Sequence, residues 1–223
     1  MRPSVAILRK DLLLELRTLE TIPAMALLTV ITFVIFHFGL NQDTVSGQLA
    51  AGVLTVTLLF AAMLAVNRLF VAEREQGGFD AFLLAPVDRT AMLIAKATAL
   101  LIFMVVLEVI AVPAFALLLA PPRIGHSLPG LMLMLLLADI GFAVIGTFVS
   151  AIAVNTRARD LIGPVIGLPL LLPALIATAR GIGPLLTVTA SGSPPAKWVV
   201  VLALYDLLNA LLAYALFDFL VED

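Results

Sequence analysis

The chain has 223 residues, 62% of them hydrophobic and only 13% charged, with a net charge of −2 and a mean hydropathy of +1.16. A soluble domain is about half apolar and about a quarter charged, so this composition leaves too little polar surface to face water and makes lipid the solvent. The near-neutral charge supplies no basic field for nucleic acid, and the lack of cysteine excludes disulfides, CxxC redox chemistry and thiolate metal sites.

Residues Met1–Glu20 carry Arg2, Arg9, Lys10, Asp11, Glu15, Arg17 and Glu20. These charges interrupt the apolar core that a secretory signal requires, so the chain is expected to be unprocessed. Val5, Leu8, Leu12, Leu16 and Leu19 recur at helical spacing among the basic residues, which predicts an amphipathic helix lying at the membrane interface. A cytoplasmic extension of the first span is the other reading.

Six apolar runs follow: Pro23–Leu40, Leu49–Val66, Ala97–Ala120, Leu128–Val154, Leu161–Ala179 and Trp198–Leu220. Each is close to the roughly 20 residues that cross a bilayer core. Backbone amides in hydrocarbon need internal partners, so the runs are expected to be helices. The predicted fold is an all-α integral membrane protein, a single transmembrane domain over residues 1–223. The fifth run holds Gly163, Pro164, Gly167, Pro169 and Pro173. Two readings stay open there, a broken or re-entrant segment and a continuous Pro-kinked helix. No internal repeat, heptad or low-complexity tract stands out.

The Lys and Arg residues divide ten to three between the two sides of these spans. The N-terminal segment, the second loop and the fourth loop hold the ten, which predicts that both termini face the cytoplasm.

Nucleotide and hydrolase motifs are missing: the sequence has no GxxxxGK[ST], no HExxH and no GxSxG. A non-catalytic chain is expected. The informative stretch is the second cytoplasmic loop, Asn67–Lys96, which is far longer than a turn needs. Val71–Gln76 can extend the second span, with Glu73 and Glu75 exposed. Gly77 and Gly78 break it, Phe79, Phe82 and Leu83 give a short aromatic face, Pro86 ends that helix, and Asp88 can cap the next. Such a helix either lies on lipid or plugs a groove in another protein. The plug is the sharper hypothesis, since it would carry mechanical force from a separate nucleotide-binding subunit.

Four carboxylates fall in or near the spans. Asp218 is close enough to the cytoplasmic end to snorkel, whereas Glu108, Asp139 and Asp206 lie deeper, where a charge is costly. Asp139, Ala143, Gly146 and Ser150 form a small, polar stripe, and Asp206, Asn209 and Ala213 form another. Both stripes favour interhelical packing and hydrogen bonding over a polar translocation path. Glu108, with bulkier neighbours and Pro113 nearby, is the better functional candidate. His37 and His126 map to the outer side. They are weak candidates for metal or haem ligation, since a lone interfacial histidine is more often a polar surface residue.

The string RLF at Arg68–Phe70, Glu73, Glu75, Gly77, LLAP at Leu83–Pro86, Asp88, Arg89 and Lys96 resembles the CcmB family. The likeness runs on through Glu108, Gly141–Ser150, NTRARD at Asn155–Asp160 and the Pro-rich fifth span. Members of that family are permease subunits of the haem-exporter-type ABC transporter of cytochrome c maturation. The resemblance implies an ABC-2-like permease in the bacterial inner membrane and a separate ABC ATPase that holds the ATP. It also implies a haem-handling membrane protein, a small single-span subunit, and release of a haem-loaded periplasmic chaperone. Haem is then a candidate cargo and no cofactor is expected to be bound tightly. Trp198, the sole tryptophan, offers no tryptophan platform for haem. On this reading Phe79, Phe82 and Leu83 form the coupling knob, and Glu73, Glu75 and Arg89 contact the rim of the ATPase. Gly77 permits the bend, and two copies of the chain form the complex. The rivals are an ABC-2-type exporter subunit for lipid, glycan or drug, and a passive assembly scaffold.

Overall fold

The computed structural model describes residues 3–69, 89–154 and 159–220, and among these every regular element is helical. The helices are α1 (Pro3–Thr18), α2 (Thr21–Leu40), α3 (Gly47–Arg68), α4 (Arg89–Leu119), α5 (Ile124–Val154), α6 (Arg159–Ile182) and α7 (Ala196–Leu220), with a 3₁₀ turn at Gly183–Leu186 after α6. Helices α2 to α7 are each long and apolar enough to cross a membrane. The chain is therefore a multi-pass, all-α membrane protein with an additional N-terminal helix.

Neighbouring helices pack in a closed ring in the order α2, α3, α6, α5, α4 and back to α2. Helix α7 lies against the α5–α6 edge, and α1 lies on α4. Burial follows from that plan. Helix α3 is buried along most of its length, whereas α2 and α7 turn broad apolar faces outward. Those faces include Leu27, Ile31, Ile35 and Phe38 on α2, and Leu204, Leu207, Leu208 and Leu211 on α7. In water such faces would be a defect; against acyl chains they are the expected boundary.

Small residues set the spacing inside the ring. A Cβ placed on Gly146 of α5 would fall 2.5 Å from Val66 Cγ2 of α3 and 3.0 Å from Leu100 Cδ2 of α4. Three helices therefore meet at that glycine, and Ser150, one turn on, donates to the Val66 carbonyl at 3.0 Å. The Phe33 and Phe115 rings, 5.5 Å apart and tilted by 57°, fill the α2–α4 contact in the edge-on manner aromatic pairs favour.

The fifth span is one continuous helix, despite Pro164, Pro169 and Pro173. The broken or re-entrant alternative is not what forms, since neighbouring helices can supply the partners that proline removes. Helices α4 and α5 are 31 residues each, longer than the bilayer core requires. Within the stretch Asn67–Lys96, Arg68 ends α3 and residues 89–96 form the first two turns of α4, as a cap at Asp88 implies.

Candidate functional site

Glu73, Glu75, Gly77, Phe79, Phe82, Leu83 and Pro86 lie outside the described residues, as does Asp88. The structure does describe the two roots from which that segment springs. On the first root, Arg68 pairs with Glu20 at 3.3 Å on an exposed surface, a contact worth at most about 1 kcal/mol. On the second, Arg89 is the first residue of α4.

Between the roots sits a buried cation. Lys96, two turns into α4, is 2% exposed. Its Nζ donates to the Leu69 carbonyl at 2.9 Å and pairs with Asp11 Oδ2 of α1 at 3.0 Å, while Lys10 holds the other Asp11 oxygen at 3.2 Å. The last carbonyls of a helix have no intrahelical donor and carry partial negative charge. A lysine ammonium has three donors and can serve such a carbonyl and a carboxylate together. Helix α1 is fastened a second time by Glu15, whose Oε1 accepts the N–H groups of Thr21 and Ile22, both at 2.8 Å. Glu15 thereby caps α2 from outside, at a start where Glu20 contributes no side-chain cap.

The intramembrane carboxyls fall into two places. Glu108 of α4 and Asp139 of α5 face one another, close enough to interact directly. No donor from the described residues reaches Glu108 Oε1 or either Asp139 oxygen. Asp206 of α7 is buried apart from them, packed over Gly141 of α5, where a Cβ would stand 2.6 Å from Asp206 Oδ1. Its oxygens also find no donor among the described residues. Asn209 turns its amide back to the Tyr205 carbonyl at 2.8 Å. Tyr205 in turn donates its hydroxyl to the Leu170 carbonyl of α6 at 2.6 Å, a few residues before Pro173, where the helix ladder is interrupted.

The histidines sit at the opposite end of the bundle from the two roots. His37 Nδ1 contacts the Leu118 carbonyl at 2.6 Å, and its ring meets Phe38 edge-on at 5.0 Å between centroids. His126, at the start of α5, packs against Gly192, whose φ of +81° favours glycine. Among the described residues no three His, Asp or Glu side chains gather as metal ligands would.

Sequence reading did not single out Asp11, Glu15 or Tyr205. A signal for Asp11 was present: Lys96 opens an apolar run, and a lysine drawn into such a run needs a counter-charge, which the N-terminal helix carries.

Comparison with known proteins covers almost the whole chain. The family model described as "CcmB protein" matches residues 2–218. Heme exporter protein B of Rhodobacter capsulatus is 34% identical over 153 residues, spanning 69% of each chain. The protein of the same name from Paracoccus denitrificans is 32% identical over 190 residues, 83% of this chain and 82% of that one. The one from Pseudomonas aeruginosa is 30% identical over 128 residues, 57% of this chain and 56% of that one. With six membrane-crossing helices and a match of this extent, the chain belongs to the CcmB family.

Proposed function

We propose that the chain is the membrane permease subunit of an ATP-driven transporter acting in cytochrome c maturation, seated in the bacterial inner membrane with both termini and residues 70–88 in the cytoplasm. The observation that carries this reading is family membership over residues 2–218, among relatives named heme exporter protein B. The sequence has no P-loop, so the chain draws its energy from a separate ATPase subunit. Force enters through residues 70–88, with Phe79, Phe82 and Leu83 as the apolar knob and Glu73, Glu75 and Arg89 around it. It is spent on haem export, or on release of the haem-loaded periplasmic chaperone. A second copy of the chain, a haem-handling membrane protein and a small single-span subunit complete the assembly.

The test is Phe82→Asp. A charge placed in an apolar docking pocket costs about 2 kcal/mol or more, which is over tenfold in affinity. The variant is expected to insert and fold in the membrane, to lose the ATPase on pull-down from detergent, and to lower cytochrome c yield accordingly. Full ATPase retention with normal yield would remove residues 70–88 from the coupling path. If an ATPase co-purifies with the unmutated chain but no haem protein does, the cargo is one of the other classes an ABC-2-type exporter moves. If yield survives a mutated Walker lysine in the ATPase, the chain is a scaffold.

A further inference from the structure

Three helices converge on the Lys96 ammonium. Leu69 is the last described residue before segment 70–88 and offers its carbonyl at 2.9 Å. Lys96 itself stands on α4, which follows the same segment, and Asp11 of α1 supplies the counter-charge at 3.0 Å. The ammonium is buried, with Lys96 at 2% exposure, so salt screens it less than it would a surface pair. Around it, Glu15 ties α1 to the start of α2 and the exposed Glu20 reaches Arg68.

We infer that Lys96 is a positioning residue for the coupling segment: its ammonium locks both roots of residues 70–88 and helix α1 into one rigid base. This rests on the reading of residues 70–88 as the ATPase contact. A push on the segment then moves α1, the end of α3 and the start of α4 together, instead of being absorbed by rotation of one root against the other. Methionine in place of Lys96 keeps an unbranched stem and removes the hydrogen bond to the carbonyl and the ion pair with the carboxylate; arginine keeps the charge.

The experiment uses the full complex with its ATPase in lipid nanodiscs. Because the chain has no native cysteine, spin labels can be introduced as Arg9→Cys and Ile94→Cys, both exposed positions, and their separation read by pulsed EPR. The otherwise unmutated chain and Lys96→Arg are expected to give one narrow distance distribution. Lys96→Met is expected to broaden it while retaining the ATPase and its turnover, and to lower export-dependent cytochrome c yield by roughly tenfold, a common size for a lost coupling between sites. Asp11→Asn, which leaves the carbonyl contact in place, is expected to broaden the distribution less. A distribution that stays narrow in Lys96→Met, or a yield that stays at the parental level, overturns the inference. Failure of the coupling reading looks different: the unmutated chain would then show no cross-link between residues 70–88 and the ATPase, whatever the labels report.

Discussion

Asp206 packs directly over Gly141, at a close approach of α7 to α5. Replacing Gly141 with alanine puts a methyl group 2.6 Å from Asp206 Oδ1, so one side chain must leave its place. The expected cost is about 1–3 kcal/mol, read as a lower thermal midpoint in detergent, with partial relief when Asp206→Ala is added. Gly146→Ala meets Val66 in the same way and should be relieved by Val66→Ala. The carboxyls themselves are a separate matter. Glu108 and Asp139 face each other and no cation pairs with either among the described residues, so neutral amides fit both positions without leaving a cation bare. Asp139→Asn and Asp206→Asn are expected to keep both the fold and export, as packing residues would. Glu108→Gln is expected to keep the fold and lower export, measured as cytochrome c yield at matched membrane levels. Equal losses in all three variants would make the carboxyls one functional set.

At the level of helices, α1 is held by Asp11 and, one turn further on the same face, by Glu15. Glu15→Ala strips two N–H groups of their acceptor and is expected to cost about 0.5–2 kcal/mol, the usual range for a lost helix cap. Amide exchange at Thr21 and Ile22 should rise while the middle of α2 stays protected. The membrane helices were legible in the sequence because length and hydropathy alone decide what crosses a bilayer. So was the start of α4, since Asp88 reads as a cap for the next helix and α4 begins at Arg89. The partner of Lys96 was hidden, because its counter-charge comes from α1, far off in the chain. The continuity of α6 was equally hidden, since proline breaks soluble helices and merely bends membrane ones. The bond from Tyr205 to the Leu170 carbonyl of α6 joins residues far apart in the chain and leaves no periodic trace.

For the molecule as a whole, six spans follow from apolar content, the ring order and the outward faces of α2 and α7 are set by contacts between helices, and the proposed side for residues 70–88 rests on the distribution of Lys and Arg. Asp43 and Glu20 lie at opposite ends of α2 and are both exposed. On the proposed orientation, a membrane-impermeant maleimide should label Asp43→Cys in intact spheroplasts and reach Glu20→Cys only after the membrane is opened. The reverse pattern would invert the protein and remove residues 70–88 from any cytoplasmic ATPase. The functional wording of that segment was legible only through its likeness to a family, because nothing in periodicity distinguishes a knob for a partner from a helix resting on lipid.

The hydroxyl of Tyr205, lodged on the Leu170 carbonyl, ties α7 to α6. Sliding α7 past α6 by one helical pitch, about 5.4 Å, would strand that oxygen in hydrocarbon, where an unmatched polar atom costs several kcal/mol. Tyr205→Phe removes that bond and is expected to lower stability, read as the thermal midpoint in detergent, by the worth of one hydrogen bond, about 1 kcal/mol.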